Sequence, residues 1–368
     1  MKILGIDTIL HDVCVAVVED GRFVLSNVNE HTVMKSDKLY NLVDSHLNQI
    51  GPVIKRALTK SKCKMEDISL ISVNNFGSFF SNVSIGLTAA EVLASVLNKP
   101  LIQVYHQEAH YFSNWLEREQ SDFNFPILVL SSSGGHSGII KILNNKFEFK
   151  ELFRIDAMKR KSKNKPNFRG IGAVYSYLAD ALKIGGPISS GPVISDYAKK
   201  GDKNKFNLTK EIGSFDITKL DFSKIEKIIS KTISEKRKKK KNLSQKFISD
   251  LCASFEQTMG ELISNGLLKL AEKEKVKEVH LVGGISANDN LRNILSKDCL
   301  AQNLEFKYPV KKSYCTDNAA MIASLGYYKY KLLSVREKKE LLKNHEIKIN
   351  SNLKLEQMAL NQRKNNVK

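Results

Sequence analysis

The sequence predicts an α/β protein of two lobes, each built on the same order of elements. Three observations carry this. The chain of 368 residues is long enough for two separate cores. Short apolar runs rich in β-branched residues alternate with longer segments of helical period. The run of hairpin strands, helix and strand occurs twice, although no short sequence repeat is visible. A central cleft between the lobes is the expected place for a ligand.

The elements follow in order. MKILGIDT is a strand, and CVAVVEDGRFVLSNV is a hairpin turning at Asp20-Gly21. Residues 42–58 have helical period. ISLISVNN (68–75) is a strand that ends in a polar loop, and 84–97 is a helix with a face of small residues. PLIQVY is a strand running into a helix that carries His106 and His110. The pattern then restarts. FPILVLSSSGGHSGIIKIL reads as strand, glycine turn and strand, with another strand in KFEFKELFRID. GAVYSYLADALKI and SQKFISDLCASFEQTMGELISNGLLKLAEKEK are helices, and VKEVHLVGGISANDNLRNIL is strand, double glycine and helix. The expected division is a first lobe over 1–118, a second over 119–330 whose last helix packs back on the first, and a basic extension over 331–368.

Composition narrows the class. The net charge is +19, with concentrated runs at KRKSKNK (159–165) and EKRKKKK (235–241). Such runs attract polyanions by counterion release, or are solvated loops. No helix is forced on the second run. No apolar stretch has membrane-spanning length, and the first residues read as a strand rather than a signal peptide, so a cytoplasmic protein without a membrane partner is expected. The five cysteines are scattered without CxxC spacing, which argues against a disulfide frame or zinc knuckle.

VYHQEAHYF (104–112) places two imidazoles four residues apart, on one face of a helix, where they can share a divalent ion. A metalloprotease needs Glu directly after the first His; Gln107 stands there, and Glu108 lies about 200° around the helix from His106. Three turns have residues suited to a cleft. IDTILHDV (6–13) offers Asp7, His11 and Asp12. SSSGGHS (131–137) has glycines and N–H groups able to cradle phosphate. GGISAN (283–288) opens a helix whose N-terminus favours anions. His136 can simply satisfy its own loop, and His46 lies on a helix face with a structural or solvated role.

CTDNAAMIA (315–323), VHLVGGISANDNLR (279–292), SGGHS (133–137) and NKPLIQVYHQEAH (98–110) together resemble the universal tRNA N6-adenosine threonylcarbamoyltransferase family, over most of residues 1–330. The resemblance implies an actin-like, sugar-kinase-like, Hsp70-like ATPase (ASKHA) fold. It implies one divalent ion, iron or zinc, held by His106, His110 and Asp317. It places nucleotide or substrate contacts on Ser131, Ser132, Ser133, Gly134, Gly135, Ser176, Gly191 and Asn288. The implied reaction moves threonylcarbamoyl from threonylcarbamoyl-AMP to N6 of adenosine 37 in tRNAs reading codons that begin with A. ATP, ADP or AMP can occupy such a site. The implied partners are tRNA, a paralogous TsaB-like subunit and a TsaE-like ATPase. His11 and Asp12 are the candidate bases. Asp317 could equally cap the helix that follows it.

The chain departs from the pattern. Many bacterial relatives carry aspartate where it has His11 and glutamate where it has Asp12; the family's Gly-Pro-Gly loop is here NNFGS (74–78), and an Asp-Lys pair aligns with Ser176 and Tyr177. These changes leave room for an impaired paralogue acting as scaffold or regulator. LHDVCVAVVEDG and GAVYSYLADAL also resemble segments of O-carbamoyltransferases, which usually carry a large extra domain that has no room here.

Overall fold

The computed structural model describes residues 1–32, 39–76, 80–132, 136–156, 170–185, 190–213, 215–239 and 242–343. Ser133, Gly134, Gly135 and the basic run 159–165 lie outside the described residues. The chain divides into two compact units. The first holds Met1–Phe123, Asn144–Glu148 and the described residues from Pro309 on; the second holds Asn124–Leu143 and Phe149–Tyr308. These bounds compare with expected lobe limits at 118 and 330.

In the first unit β1 (Lys2–Ile9), β2 (Asp12–Glu19) and β3 (Phe23–His31) form two successive hairpins. Asp20 and Gly21 both adopt positive φ, 52° and 71°, which matches the right-handed twist of the flanking strands. Helix α1 (Leu39–Ser61) leads to β4 (Ile68–Asn74), α2 (Phe80–Leu97), β5 (Leu101–Val104) and the short α3 (His106–Tyr111). The sheet order is β3-β2-β1-β4-β5, with β1, β4 and β5 parallel.

The second unit repeats this plan. The strands β6 (Ile127–Ser132), β7 (His136–Ile142) and β8 (Phe149–Asp156) are again hairpin-connected. The helices α4 (Ile171–Leu182), α5 (Ser190–Ala198), α6 (Leu208–Ile212), α7 (Ser223–Lys239) and α8 (Gln245–Glu274) follow. Then come β9 (Glu278–Val282), α9 (Asp289–Ala301) and β10 (Glu305–Lys307). Read from its hairpin edge, the second sheet runs β8-β7-β6-β9-β10, the same order as the first. Helix α8 is buried almost all round, from Phe247 to Ala271, as expected of a helix at the centre of a core. Among the described residues no helix is long and apolar enough to cross a membrane.

The chain returns to the first unit as α10 (Ala319–Leu332) and α11 (Val335–Lys343). Gly5 explains how α10 can lie against β1: a Cβ there would collide with the Ala319 carbonyl oxygen and with Ala323. Ser72 Oγ also donates to the Ile322 carbonyl across 2.7 Å. This close approach sets the loop before α10 beside the C-terminal ends of β1 and β5.

The second basic run was left open by the sequence. Residues 235–239 complete α7. Ile225, Ile229 and Ile233 recur every four residues and are buried, and lysines in the last turn complement the helix dipole. Lys240 and Lys241 lie outside the described residues.

Candidate metal centre

Strand β5 ends at Val104, Tyr105 keeps extended backbone, and α3 begins at once with His106. The four-residue spacing then sets His106 and His110 on one face, their ring centroids 4.8 Å apart. Asp317 comes from the loop before α10. Its Oδ1 lies 3.3 Å from Nε2 of His106 and 3.3 Å from Nε2 of His110. One ligand atom from each of the three residues lies within 4.8 Å of the other two. The helix cap is Asn318, whose Oδ1 accepts from Met321 N at 3.2 Å. Asp317 is thereby released from capping. Its main chain is held separately, since Asn29 Nδ2 donates to its carbonyl at 3.2 Å.

The donor set fits a divalent ion. His110 is 2 % exposed, and among the described residues neither ring nitrogen has a partner in hydrogen-bond geometry, although Nε2 stands 3.3 Å from Asp317 Oδ1. A buried imidazole left in that state calls for an acceptor of its lone pair. Burial lowers its pKa, which outweighs the opposing pull of Asp317, so the ring is neutral and able to ligate. His106 is oriented from behind. Its Nδ1–H donates to Asp7 Oδ2 at 2.7 Å, which leaves Nε2 to face Asp317. Asp7, fully buried, is itself fixed by Asn74 Nδ2 at 2.9 Å. Burial works against charge on His106, but Asp7 and Asp317 together overcome it and raise its pKa to about 10. Burial likewise opposes ionisation of Asp317, yet the two histidines hold its carboxyl well below the usual range. The pocket favours positive charge at the point where these groups meet. A cation arriving there would take the place of the proton on His106, and two imidazole nitrogens with one carboxylate then suit iron or zinc.

His11 lies in the turn between β1 and β2, and Asp12 opens β2. Asp12 Oδ1 is paired with Nδ1 of His31 at 2.9 Å. Burial raises the Asp12 pKa; His31 opposes the rise, and Asp317 and Asp7 add to it. The His11 and His31 rings stand 5.8 Å apart. His31 escaped the sequence reading because a register shift at Val17/Val18 moves the pairing by one residue. Counted straight back from the turn, Asp12 would face Glu30. Asp7 was seen as a loop residue without its role behind His106, and Asn74 was not singled out. His46 is fully buried, with Nδ1 against the Leu42 carbonyl at 2.8 Å, a structural place.

In the second unit Ser131 is nearly buried and Ser132 Oγ pairs with Ser137 Oγ at 2.8 Å. Ser176 Oγ donates to the Gly172 carbonyl on its own helix, at 3.3 Å. Gly191 lies in the first turn of α5, where a Cβ would meet open space. Asn288 Oδ1 caps α9 by accepting from Leu291 N at 2.9 Å. Its Nδ2 donates to Glu256 Oε1 at 2.7 Å and reaches Tyr175 Oη at 3.4 Å. Sequence reading did not find Glu256.

Two sheets of one repeated strand order, with a two-histidine, one-carboxylate set, define an ASKHA-type α/β protein with a candidate metal centre. Solved structures show the same fold at low identity. Component A of the (R)-2-hydroxyglutaryl-CoA dehydratase of Acidaminococcus fermentans aligns over 89% of this chain and 98% of its own, with TM-score 0.50 and 15% identity. HypF of T. kodakarensis aligns over 92% of this chain and 49% of its own, with TM-score 0.57 and 13% identity. The family model TsaD, tRNA N6-adenosine threonylcarbamoyltransferase, matches residues 41–324. Proteins of that name from Thermodesulfovibrio yellowstonii and Mesoplasma florum are 33% and 30% identical. Each match covers 90% of this chain, with 95% and 99% of the relative respectively. The chain belongs to the tRNA N6-adenosine threonylcarbamoyltransferase family, a family of transferases.

Proposed function

We propose that this protein transfers the threonylcarbamoyl group from threonylcarbamoyl-AMP to N6 of adenosine 37 in tRNAs that read codons beginning with A. The observation that carries the reading is the triad: Asp317, far along the chain, shares one point with the His106 and His110 pair.

The reaction is an acyl transfer. The exocyclic amine attacks the carbonyl carbon, the new C–N bond forms, the bond to the phosphate oxygen breaks, and AMP leaves. The amine is a weak nucleophile because its lone pair is delocalised into the ring, so orientation, carbonyl polarisation and proton removal each matter. His106, His110 and Asp317 would hold the ion, with Asp7 and Asn74 keeping His106 in the ligating tautomer. When bound, a divalent ion supplies Lewis-acid polarisation and a fixed positive charge for substrate oxygens. Asp12 is the proposed acceptor of the amine proton: burial makes it a stronger base than an exposed carboxylate, and His31 fixes its orientation. His11 is the alternative base. The nucleotide contacts are proposed on Ser131, Ser132, Gly191 and Asn288, with Ser176 nearby on α4. Partners on this reading are tRNA, a paralogous TsaB-like subunit and a TsaE-like ATPase, in the cytoplasm. A separate enzyme must make the adenylate.

The test is depletion and rescue, with N6-threonylcarbamoyladenosine measured in total tRNA by mass spectrometry. Wild type restores the nucleoside and His110→Ala does not. Rescue by His110→Ala to the wild-type level, or no loss of the nucleoside on depletion, overturns the reading.

A further inference from the structure

One carboxylate in the second unit stands outside the mechanism above. Glu256 lies on α8 and is 6 % exposed. Its Oε1 accepts two hydrogen bonds from different elements, Ser195 Oγ of α5 at 2.6 Å and Nδ2 of Asn288, at the start of α9, at 2.7 Å. Asn288 Nδ2 also reaches Tyr175 Oη of α4. Tyr175 in turn packs edge-on against Phe255, the residue before Glu256, with centroids 4.9 Å apart. The elements joined here, α5 and the start of α9 directly and α4 through Asn288, are those that carry Gly191, Asn288 and Ser176. A buried carboxylate costs several kcal/mol unless its environment compensates, and burial does raise the Glu256 pKa, against the pull of Ser195 and Asn288. An apolar side chain would pack α8 at lower cost. The acceptor is therefore placed for what it holds.

We propose that Glu256 is a positioning residue for an adenine nucleotide: its Oε1 fixes the amide of Asn288 and the first turns of α5 in the arrangement that receives the nucleoside. This deepens the reading of Asn288 and Gly191 as nucleotide contacts and rests on it. Because a single oxygen accepts both bonds, the role needs an acceptor and not a charge. Glutamine can supply that oxygen; methionine fills the space without it.

The experiment is titration of the full-length protein with ATP by calorimetry, with thermal melts giving the folded fraction of each variant. Glu256→Met is expected to weaken ATP binding at least tenfold per folded molecule, and Glu256→Gln to bring affinity back to within about threefold of wild type. Asn288→Ser, which keeps a helix cap but removes the amide, tests the underlying reading. If Asn288→Ser binds ATP as wild type does, the nucleotide assignment of Asn288 fails. If Asn288→Ser is weakened but Glu256→Met binds normally, the positioning role of Glu256 is overturned, and any loss of melting temperature in Glu256→Met is then packing alone. Equal weakening in Glu256→Met and Glu256→Gln also overturns the proposal, since it would assign the effect to charge.

Discussion

Asp7 Oδ2 receives the Nδ1–H of His106 across 2.7 Å, and Asn74 holds the other oxygen of the same carboxylate. The bond fixes which ring nitrogen is free to bind a cation. Replacing Asp7 by Asn keeps the shape but can present an amide N–H toward Nδ1, which favours the wrong tautomer. Metal affinity is expected to fall about 10- to 100-fold in Asp7→Asn, measured by chelator competition on purified protein. Retention of metal at wild-type affinity would mean that His106 needs no orienting partner.

Glu108 points away from the histidines, as its place on α3 requires, and meets Lys329 of α10 at 2.9 Å. The carboxylate is 1 % exposed, and its Oε1 has no hydrogen-bond partner among the described residues. The pair therefore braces the helix carrying two ligands against the helix that follows the third. Removing the ammonium leaves a buried charge unpaired. Lys329→Met is expected to cost about 3 kcal/mol in urea unfolding, and the double variant with Glu108→Gln to recover part of that loss. An unchanged unfolding midpoint would show that Glu108 is neutral in the folded protein.

The second unit has an acid-sensitive cluster around Glu278 on β9, beside the edge strand β10. Glu278 is fully buried, yet its pKa is lowered: His280, the Asn124 N–H at 2.9 Å and Lys307 Nζ at 2.9 Å together overcome the opposing effect of burial. A depressed folded pKa contributes stability that is present above the unfolded value of 4.5 and is lost as pH falls through the folded value. The stability advantage of wild type over Glu278→Gln should shrink as pH drops from about 5 to about 3, followed by denaturant unfolding. A constant difference across that range would remove Glu278 from the acid response.

Much of this was legible in the sequence, and the gaps have physical causes. The i, i+4 histidines declare a shared face whatever the tertiary structure, and TDN supplies a carboxylate. Local sequence could not choose between Asp317 and Asn318 as helix cap, because both side chains suit that place; the geometry gives the cap to Asn318. Asp12 was visible, but its partner depends on a bulge that no residue type announces. Glu256 sits in a long helical stretch whose pattern alone does not tell a buried acid from a solvated one. Gly5 looks like an ordinary strand residue until α10 is laid against it.

The close approach at Gly5 has its own consequence for the metal centre. Any Cβ there meets the Ala319 carbonyl, a backbone atom of the first turn of α10, so the helix must shift and not merely repack a side chain. Asp317 lies two residues before that carbonyl, and its distances to both imidazoles would change with it. Gly5→Ala is expected to lower metal stoichiometry at fixed free metal, besides destabilising the fold by about 1 to 3 kcal/mol. Metal content measured on the folded fraction separates these effects. A folded Gly5→Ala protein that loads metal fully would show that the Asp317 loop adjusts independently of α10.

The C-terminal turn of α7 offers a direct test of the tRNA assignment. Ile225, Ile229 and Ile233 bury one face, and Arg237 Nη2 is spent on the Ala181 carbonyl at 2.9 Å. Lys238 and Lys239 remain exposed at the end of the helix. If they neutralise phosphates, removing each lysine charge should reduce the slope of log affinity against log salt by roughly 0.7 to 0.9. The Lys238→Gln, Lys239→Gln variant is expected to bind tRNA more weakly at low salt and to converge on wild type as salt rises, in filter binding over a potassium chloride series. Parallel curves at all salt concentrations would make this turn a solvated helix end, and the RNA footprint would have to lie elsewhere on the chain.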